Sequence, residues 1–306
     1  MQSEATTVGE TGTWVPVRRS HTVPLPEGHT LRFGARTLVM GIVNVTPDSF
    51  SDGGRHFTTE AAVAHARLLV DQGADILDLG AESTRPGAEP VPAHEEIDRL
   101  RPVLARLAGT TRVPISVDTA KPEVAEMALE AGATIINDVS MLRHGDDLAR
   151  LTAARGAALI LMHSRGTPAT MGTLTDYPRG VTRGVMDELA AALERACDAG
   201  MPANALLMDP GIGFAKTAAQ SMEILAHLHE FTALDRPLVV GVSRKSFIGH
   251  VLERPVDGRL EGSLAAEAAA ALGGAHVLRT HDVAACRQVA GLLDALRGAG
   301  APGETA

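Results

Sequence analysis

Aromatic side chains are scarce in this 306-residue chain: Phe, Trp and Tyr together make 3%, with one Trp and one Tyr. A surface that binds single-stranded nucleic acid by stacking bases on rings is therefore poorly supplied. Positive charge is also short, with 28 Lys and Arg against 37 Asp and Glu and a formal charge of -9. Such a chain has no overall field to draw in a phosphate backbone, so nucleic acid is not an expected partner and any bound anion is held by a local cluster. Only two cysteines occur, Cys197 and Cys286, without CxxC spacing, which argues against a disulfide framework and fits a cytoplasmic setting. No run of about 18 apolar residues is present, and residues 1–10 are polar and acidic, so neither a membrane span nor a secretion signal is expected.

Three common ligand motifs are missing as well. No GxGxxG turn follows a first strand, which leaves a dinucleotide enzyme unsupported. HExxH spacing is absent, so a tightly held zinc is not expected. The segment DPGIGFAKT at 209–217 ends in Lys216-Thr217 like a phosphate-binding loop, but Ala215 stands before the lysine and the first glycine is misplaced.

What the chain does have is 45% hydrophobic residues, arranged in eight short apolar runs at 38–43, 76–79, 114–117, 134–136, 158–162, 206–208, 238–242 and 276–278. They are apolar almost throughout rather than alternating, the pattern of strands covered on both faces. Most are followed by a stretch of helical period, as at 59–71, 95–107, 122–130, 183–199 and 264–272. Strand alternating with helix predicts parallel pairing through crossovers, and Gly73, Gly132 and Gly274 stand where a helix must turn left-handed before the next strand. Eight such units in about 270 residues predict a single (β/α)8 TIM barrel over 31–297, with an open doubly wound sheet as the alternative. Residues 1–30, rich in Thr, Gly and Pro, read as a flexible leader, and 298–306 as a flexible tail.

Each run exits into polar residues: Asn44, Asp78, Asp118, Asn137 with Asp138, His163, Asp209, Ser243 with Lys245, and Arg279 with His281. Singly, an Asp or Asn there is an ordinary turn former or helix cap. In a parallel barrel all eight exits share the C-terminal rim, so the group converges on one mouth. Its carboxylates and carboxamides suit a flat, nitrogen-rich heterocycle, while Lys245, Arg279 and His281 suit an anion. A polar heterocycle carrying a phosphate is the expected ligand class.

The same segments carry a family resemblance. GIVNVTPDSFSDGG at 41–54 and ESTRPG at 82–87 are followed by SVDT at 116–119, INDV at 136–139, Met162-His163, DPGIGF at 209–214, SRKS at 243–246 and RTHDV at 279–283. In order and spacing, over about residues 36 to 295, the chain resembles the dihydropteroate synthase family of pterin-binding enzymes. The resemblance implies condensation of 6-hydroxymethyl-7,8-dihydropterin diphosphate with p-aminobenzoate in folate biosynthesis, with Mg²⁺ present, in a homodimer sensitive to sulfonamides.

Position by position, it implies that Asp118, Asn137, Asp209 and Lys245 line the pterin pocket. Asn44, Arg279 and His281 would hold the diphosphate, Asn44 also meeting the Mg²⁺. Thr84, Pro86, Phe214, Lys245 and Ser246 would surround p-aminobenzoate. Asp118, Lys245, Arg279 and His281, with Asp52 and Arg85 on the loops 46–58 and 83–94, would serve the chemistry, the loops acting as lids. A dissociative substitution follows, since Arg279, His281 and Mg²⁺ stabilise the leaving anion and Asp118 the pterin cation. The chain departs from the family at Ala215 and Met141, where glycine is usual, and at Ser164 and Thr280. Two alternatives stand: a pterin-binding paralogue without turnover, and a pterin-dependent methyltransferase, which has no use for a diphosphate cluster.

Overall fold

The computed structural model describes residues 18–46, 59–83 and 88–300. Two short strands, β1 (His21–Pro24) and β2 (Thr30–Phe33), pair antiparallel. Eight parallel strands follow: β3 (Leu38–Asn44), β4 (Ile76–Gly80), β5 (Ile115–Asp118), β6 (Ile135–Asp138), β7 (Ala158–Met162), β8 (Leu206–Asp209), β9 (Val239–Gly241) and β10 (Val277–Thr280). Their order runs β8, β7, β6, β5, β4, β3, β10, β9, and a single bridge between Met208 and Leu238 joins the two ends. The sheet is thus a closed barrel, as expected, with its thinnest seam between β8 and β9.

The helices α1 (Thr59–Asp71), α2 (Ala93–Leu107), α3 (Pro122–Glu130), α4 (Asp147–Ala154), α5 (Val181–Asp198) and α6 (Ala218–Ala226) each follow one strand in turn. After β9 come two, α7 (Ser246–Leu252) and α8 (Leu260–Leu272), and α9 (Val283–Gly300) ends the barrel. Strand residues of alternate parity serve two separate cores. Val39, Val43, Leu77, Leu79, Val117, Ile136 and Leu161 pack outward against the helices. Leu38, Met40, Ile76, Ile135, Ile160, Leu207, Val239 and Val277 fill the interior. Burial on both faces is why the strands read as unbroken apolar runs.

The N-terminal segment corrects the expectation of a flexible leader through residue 30. Val23, Leu25 and Phe33 of the β1–β2 hairpin join the interior cluster, sealing the barrel's base. Each such burial contributes about 1.5–3 kcal/mol. Arg18, also buried, donates to Ala275 O at 3.0 Å, Thr37 Oγ1 at 2.9 Å and Asp294 Oδ1 at 2.6 Å. At the other end α9 runs to Gly300, so residues 298–300 belong to the helix rather than to a tail. Among the described residues no helix is long and apolar enough to cross a membrane.

The strands also extend further than the apolar runs. Asn44, Asp118, Asn137, Asp138, Asp209, Arg279 and Thr280 are terminal or near-terminal strand residues, not loop residues beyond the strand. Regular strand alternation therefore sets where their side chains go, which fixes them more firmly than a loop would.

Candidate active site

Strand register assembles the first part of the rim. Asn44 pairs with Gly80, Gly80 with Asp118, and Asp118 with Asn137, so these residues form one level across four strands. One step nearer the interior lies Asp78, fully buried, which the sequence places at the mouth without an individual role. Its Oδ2 accepts from Arg279 Nε at 2.7 Å and from Asn137 Nδ2 at 3.2 Å. Arg279 Nη2 also donates to Asp118 Oδ2 at 3.0 Å. A guanidinium with its fork spread over two carboxylates is held rigidly.

Electrostatics within this group are set by burial. Loss of water pushes the Asp118 carboxyl up to about 8, with Arg279 pulling down and the Asp78 charge pushing further up. Burial works against the Arg279 charge, yet Asp78 and Asp118 together hold its pKa above the ordinary arginine value. Asp209, at the end of β8, is raised by burial and opposed first by the Lys245 charge. Its Oδ1 accepts the Gly211 N–H at 2.7 Å. Lys245 is lowered to about 8 by burial, against the attraction of Asp209. Its ammonium donates to Ile212 O and lies 4.8 Å from the centre of the Phe214 ring.

His281 follows β10, and its Nδ1 lies 3.0 Å from Ser243 Oγ, which accepts the His281 main-chain N–H at 3.2 Å. Next to it Asp282 takes a two-pronged ion pair from Arg244, at 2.9 and 2.6 Å. Arg244 has φ +56°, and its N–H donates to Ser263 Oγ at 2.8 Å. These bonds tie the loop after β9 to the end of β10, which brings Lys245 and His281 to one side of the mouth.

The structure thus brings Asn44, Asp118, Asn137, Asp209, Lys245, Phe214, Arg279 and His281 to one rim, through strand ends and the turns just after them. Ser246 opens α7 beside Lys245 and is exposed. Asp52, Thr84, Arg85 and Pro86, with most of the loops expected to act as lids, lie outside the described residues. The two positions where glycine was expected both have left-handed backbone, Met141 at φ +57° and Ala215 at φ +49°. Such a conformation costs a residue with a Cβ about 1–2 kcal/mol, so each is held by its surroundings. Around Met141, Asp138 accepts the N–H of Ser140 at 2.8 Å and of Leu142 at 2.6 Å. Asp78 had a readable signal, a carboxylate inside an apolar strand run at inward parity, which is costly unless paired.

Among known proteins, the pterin-binding enzyme family matches residues 40–281. A dihydropteroate synthase of Synechocystis is 45% identical over 276 residues, covering 89% of this chain and 95% of the relative. The solved Yersinia pestis dihydropteroate synthase in complex with a sulfonamide drug superposes with a TM-score of 0.83 at 40% identity, covering 89% of this chain and 98% of that one. The Xanthomonas albilineans dihydropteroate synthase with 4-aminobenzoic acid gives 0.82 at 44% identity, covering 90% and 99%. Agreement over nearly the whole of both chains, in sequence and in fold, makes this chain a member of the dihydropteroate synthase family of pterin-binding enzymes.

Proposed function

We propose that the chain joins 6-hydroxymethyl-7,8-dihydropterin diphosphate to p-aminobenzoate, releasing diphosphate and 7,8-dihydropteroate for folate biosynthesis, by a dissociative substitution. The observation that carries this reading is the Arg279 fork on Asp78 and Asp118, with Asp209 and Lys245 attracting each other beside it: opposite charges gathered in one mouth. The bond that breaks joins the pterin methylene to a diphosphate oxygen, and its electron pair leaves with that oxygen. Positive charge spreads over methylene and ring, where the Asp118 carboxylate stabilises it. Arg279 and His281 stabilise the departing anion. The p-aminobenzoate nitrogen then bonds to the methylene and gives up one proton.

Asp209 accepts from the amino and ring N–H edge of the pterin, while Lys245 donates to the ring carbonyl and Asn137 completes the edge. Phe214, Lys245 and Ser246, together with Thr84 and Pro86, receive p-aminobenzoate. Asp52 and Arg85 belong to the loops that exclude water from the cation. No nucleophilic side chain is required, because the aniline nitrogen is itself a usable nucleophile at neutral pH.

For Mg²⁺, the donor set fits an ion carried by the substrate. Among the described residues no group of three or more His, Cys, Asp or Glu could hold a metal, whereas Asn44 offers one carboxamide oxygen at the rim. Mg²⁺ is commonly bound by one or two protein oxygens plus waters and substrate phosphates. Asn44 would hold it there, and the ion would neutralise charge on the diphosphate.

A homodimer and a cytoplasmic location complete the proposal. Supporting the first are Val251, Leu252 and Val256, half-exposed apolar residues in and just after α7; supporting the second, both cysteines are free thiols. Sedimentation velocity tests the dimer. The activity is tested by following diphosphate release with both substrates and Mg²⁺. Release that requires p-aminobenzoate is the expected result, and pterin binding without release would favour a paralogue that does not turn over.

A further inference from the structure

The lysine of the DPGIGFAKT segment has no phosphate to bind in this reading, yet Lys216 is buried. It points into the protein. Its Nζ lies 2.9 Å from each of three acceptors: His163 Nδ1, Gly211 O and Phe214 O. Three acceptors match the three N–H bonds of an ammonium, and a neutral amine would leave one of them bare. Burial, then the Lys245 charge, lower its pKa well below the ordinary lysine value, while Asp209 and Glu188 raise it.

His163 continues the run. Its Nε2 is 3.1 Å from Glu188 Oε2, and Arg165 closes on the same carboxylate through Nε at 3.1 Å and through Nη2. Burial, then the Lys216 charge, push the imidazole down to about 4, so it is neutral at physiological pH. Neutrality and the bonding pattern together put its hydrogen on Nε2, toward Glu188, and leave Nδ1 to accept from Lys216. The Glu188 carboxyl is held down at about 2, first by the bond from His163. The Tyr177 ring also lies near the imidazole, 6.2 Å between ring centres, and the His163 main-chain N–H donates to the Asp209 carbonyl at 2.9 Å.

All these contacts bear on one turn. Lys216 takes the carbonyls of Gly211 and Phe214, Lys245 takes that of Ile212, and Tyr177 Oη donates to that of Ala215 at 3.0 Å. The Arg165 guanidinium lies 3.8 Å from the centre of the Tyr177 ring. A Cβ on Gly211 would stand 1.9 Å from the His163 carbonyl oxygen, so the turn lies directly on β7 and its exit. Four carbonyls in five residues are fixed from outside the turn, which includes the left-handed Ala215.

We infer that Lys216, anchored through His163 to Glu188 and Arg165, is a positioning residue that sets the 211–215 turn, and so places Phe214 for the aromatic amine substrate. The inference rests on the proposed synthase reaction. Asp209 belongs to β8, and Lys245 follows Arg244, which is tied to Ser263 and Asp282, so the pterin side depends less on Lys216.

The test is steady-state kinetics of the full chain with both substrates. In Lys216→Met the KM for p-aminobenzoate is expected to rise at least tenfold, with the KM for the pterin diphosphate within threefold of wild type. A merely structural role would lower the active fraction, hence the apparent kcat, and leave both KM values in place. The two amide replacements of His163 sharpen the test. In His163→Asn the amide stands near the place of Nδ1 and keeps an acceptor for Lys216, so its KM stays within threefold of wild type. In His163→Gln the amide stands near the place of Nε2, and the KM is expected to shift with that of Lys216→Met. An unshifted KM in Lys216→Met overturns the inference, as do equal values for the two His163 variants, which decide alone if Lys216→Met does not fold. Wild-type protein that releases no diphosphate defeats the functional reading instead. The inference is then read from amide exchange, expected at least tenfold faster over 211–215 in Lys216→Met and overturned if unchanged.

Discussion

Arg279 Nε and Asp78 Oδ2 meet at 2.7 Å at the base of the mouth, on an oxygen that also receives Asn137. One carboxylate thereby orients a candidate anion-binding group and a candidate pterin-binding group. Asp78→Ala is expected to cost roughly 3 kcal/mol of stability, because a largely buried cation loses its closest partner. Diphosphate release is expected to fall at least a hundredfold. A urea melt with unchanged midpoint and a wild-type rate would show that Asp78 anchors nothing.

Lys245 and Arg279 both serve a rim, and rim residues ordinarily leave stability untouched when removed. The structure separates them. Lys245→Ala deletes a half-buried ammonium whose pKa is lowered to about 8, so it is expected to lose most activity with little change in melting temperature. Arg279→Ala leaves Asp78 and Asp118 facing each other without a cation, so it is expected to lose both activity and stability at neutral pH. Acidification should restore part of that stability as Asp118, already raised by burial, takes up its proton. Thermal melts of the two variants at pH 5 and pH 8 check the contrast.

The Asp118 carboxyl titrates at about 8 in the fold against 3.8 as a free side chain. The folded state therefore holds the proton longer than the unfolded chain, and stability falls as pH rises through that window. Asp118→Asn removes this cost. Its melting temperature should exceed that of wild type at pH 8 by roughly 2–4 °C or more, and the gap should close toward pH 4. Its activity should be lost, since an amide cannot stabilise a cation as a carboxylate does. Melting temperatures that differ by the same amount at both pH values would contradict the sign.

Wild-type kcat/KM for the pterin diphosphate should follow a bell. The rising limb reports ionisation of Asp118 and the falling limb loss of the Lys245 proton, both groups titrating near 8 in the free protein. An optimum within about one unit of pH 8 is expected. A profile flat from pH 6 to 10 would remove both residues from the rate-determining chemistry.

Sulfonamides are expected to compete with p-aminobenzoate, because in the proposed site both would place an aromatic amine against Phe214. Phe214→Ala should weaken both by about tenfold, the loss of a large apolar contact in a half-buried site. Inhibition competitive with the pterin substrate would place the drug elsewhere.

Ala215→Gly removes a Cβ from a left-handed backbone at φ +49°. A gain of about 0.5–1 kcal/mol in unfolding free energy is expected, with activity unchanged. A loss of stability would mean that the Ala215 methyl group packs too well to give up.

The barrel was legible because parallel strands buried on both faces must be continuously apolar, and eight of them survived as separate runs. The mouth was legible because each run ended in a residue with hydrogen-bonding side chain. Asp78 escaped assignment since its place inside an apolar run shows that it must be paired but not with what, and its partners Asn137 and Arg279 lie on other strands. The hairpin escaped for a different reason. Val23, Leu25, Leu31 and Phe33 do alternate, but Pro24 and Pro26 beside them read as loop, and only the open base of a barrel gives so short a ribbon something to cover. Lys216 was read against a nucleotide motif, and its acceptors lie on a neighbouring strand exit and in its own turn.

Asp209 closes β8 and Lys245 follows β9, so the two stand on opposite banks of the one junction that the main chain spans with a single bridge. A pterin gripped by both would act as a rivet across that gap, supplying from its own heteroatoms the rungs the ladder omits. Substrate occupancy and integrity of the staves are then a single variable, and the empty vessel should breathe at this edge before any other.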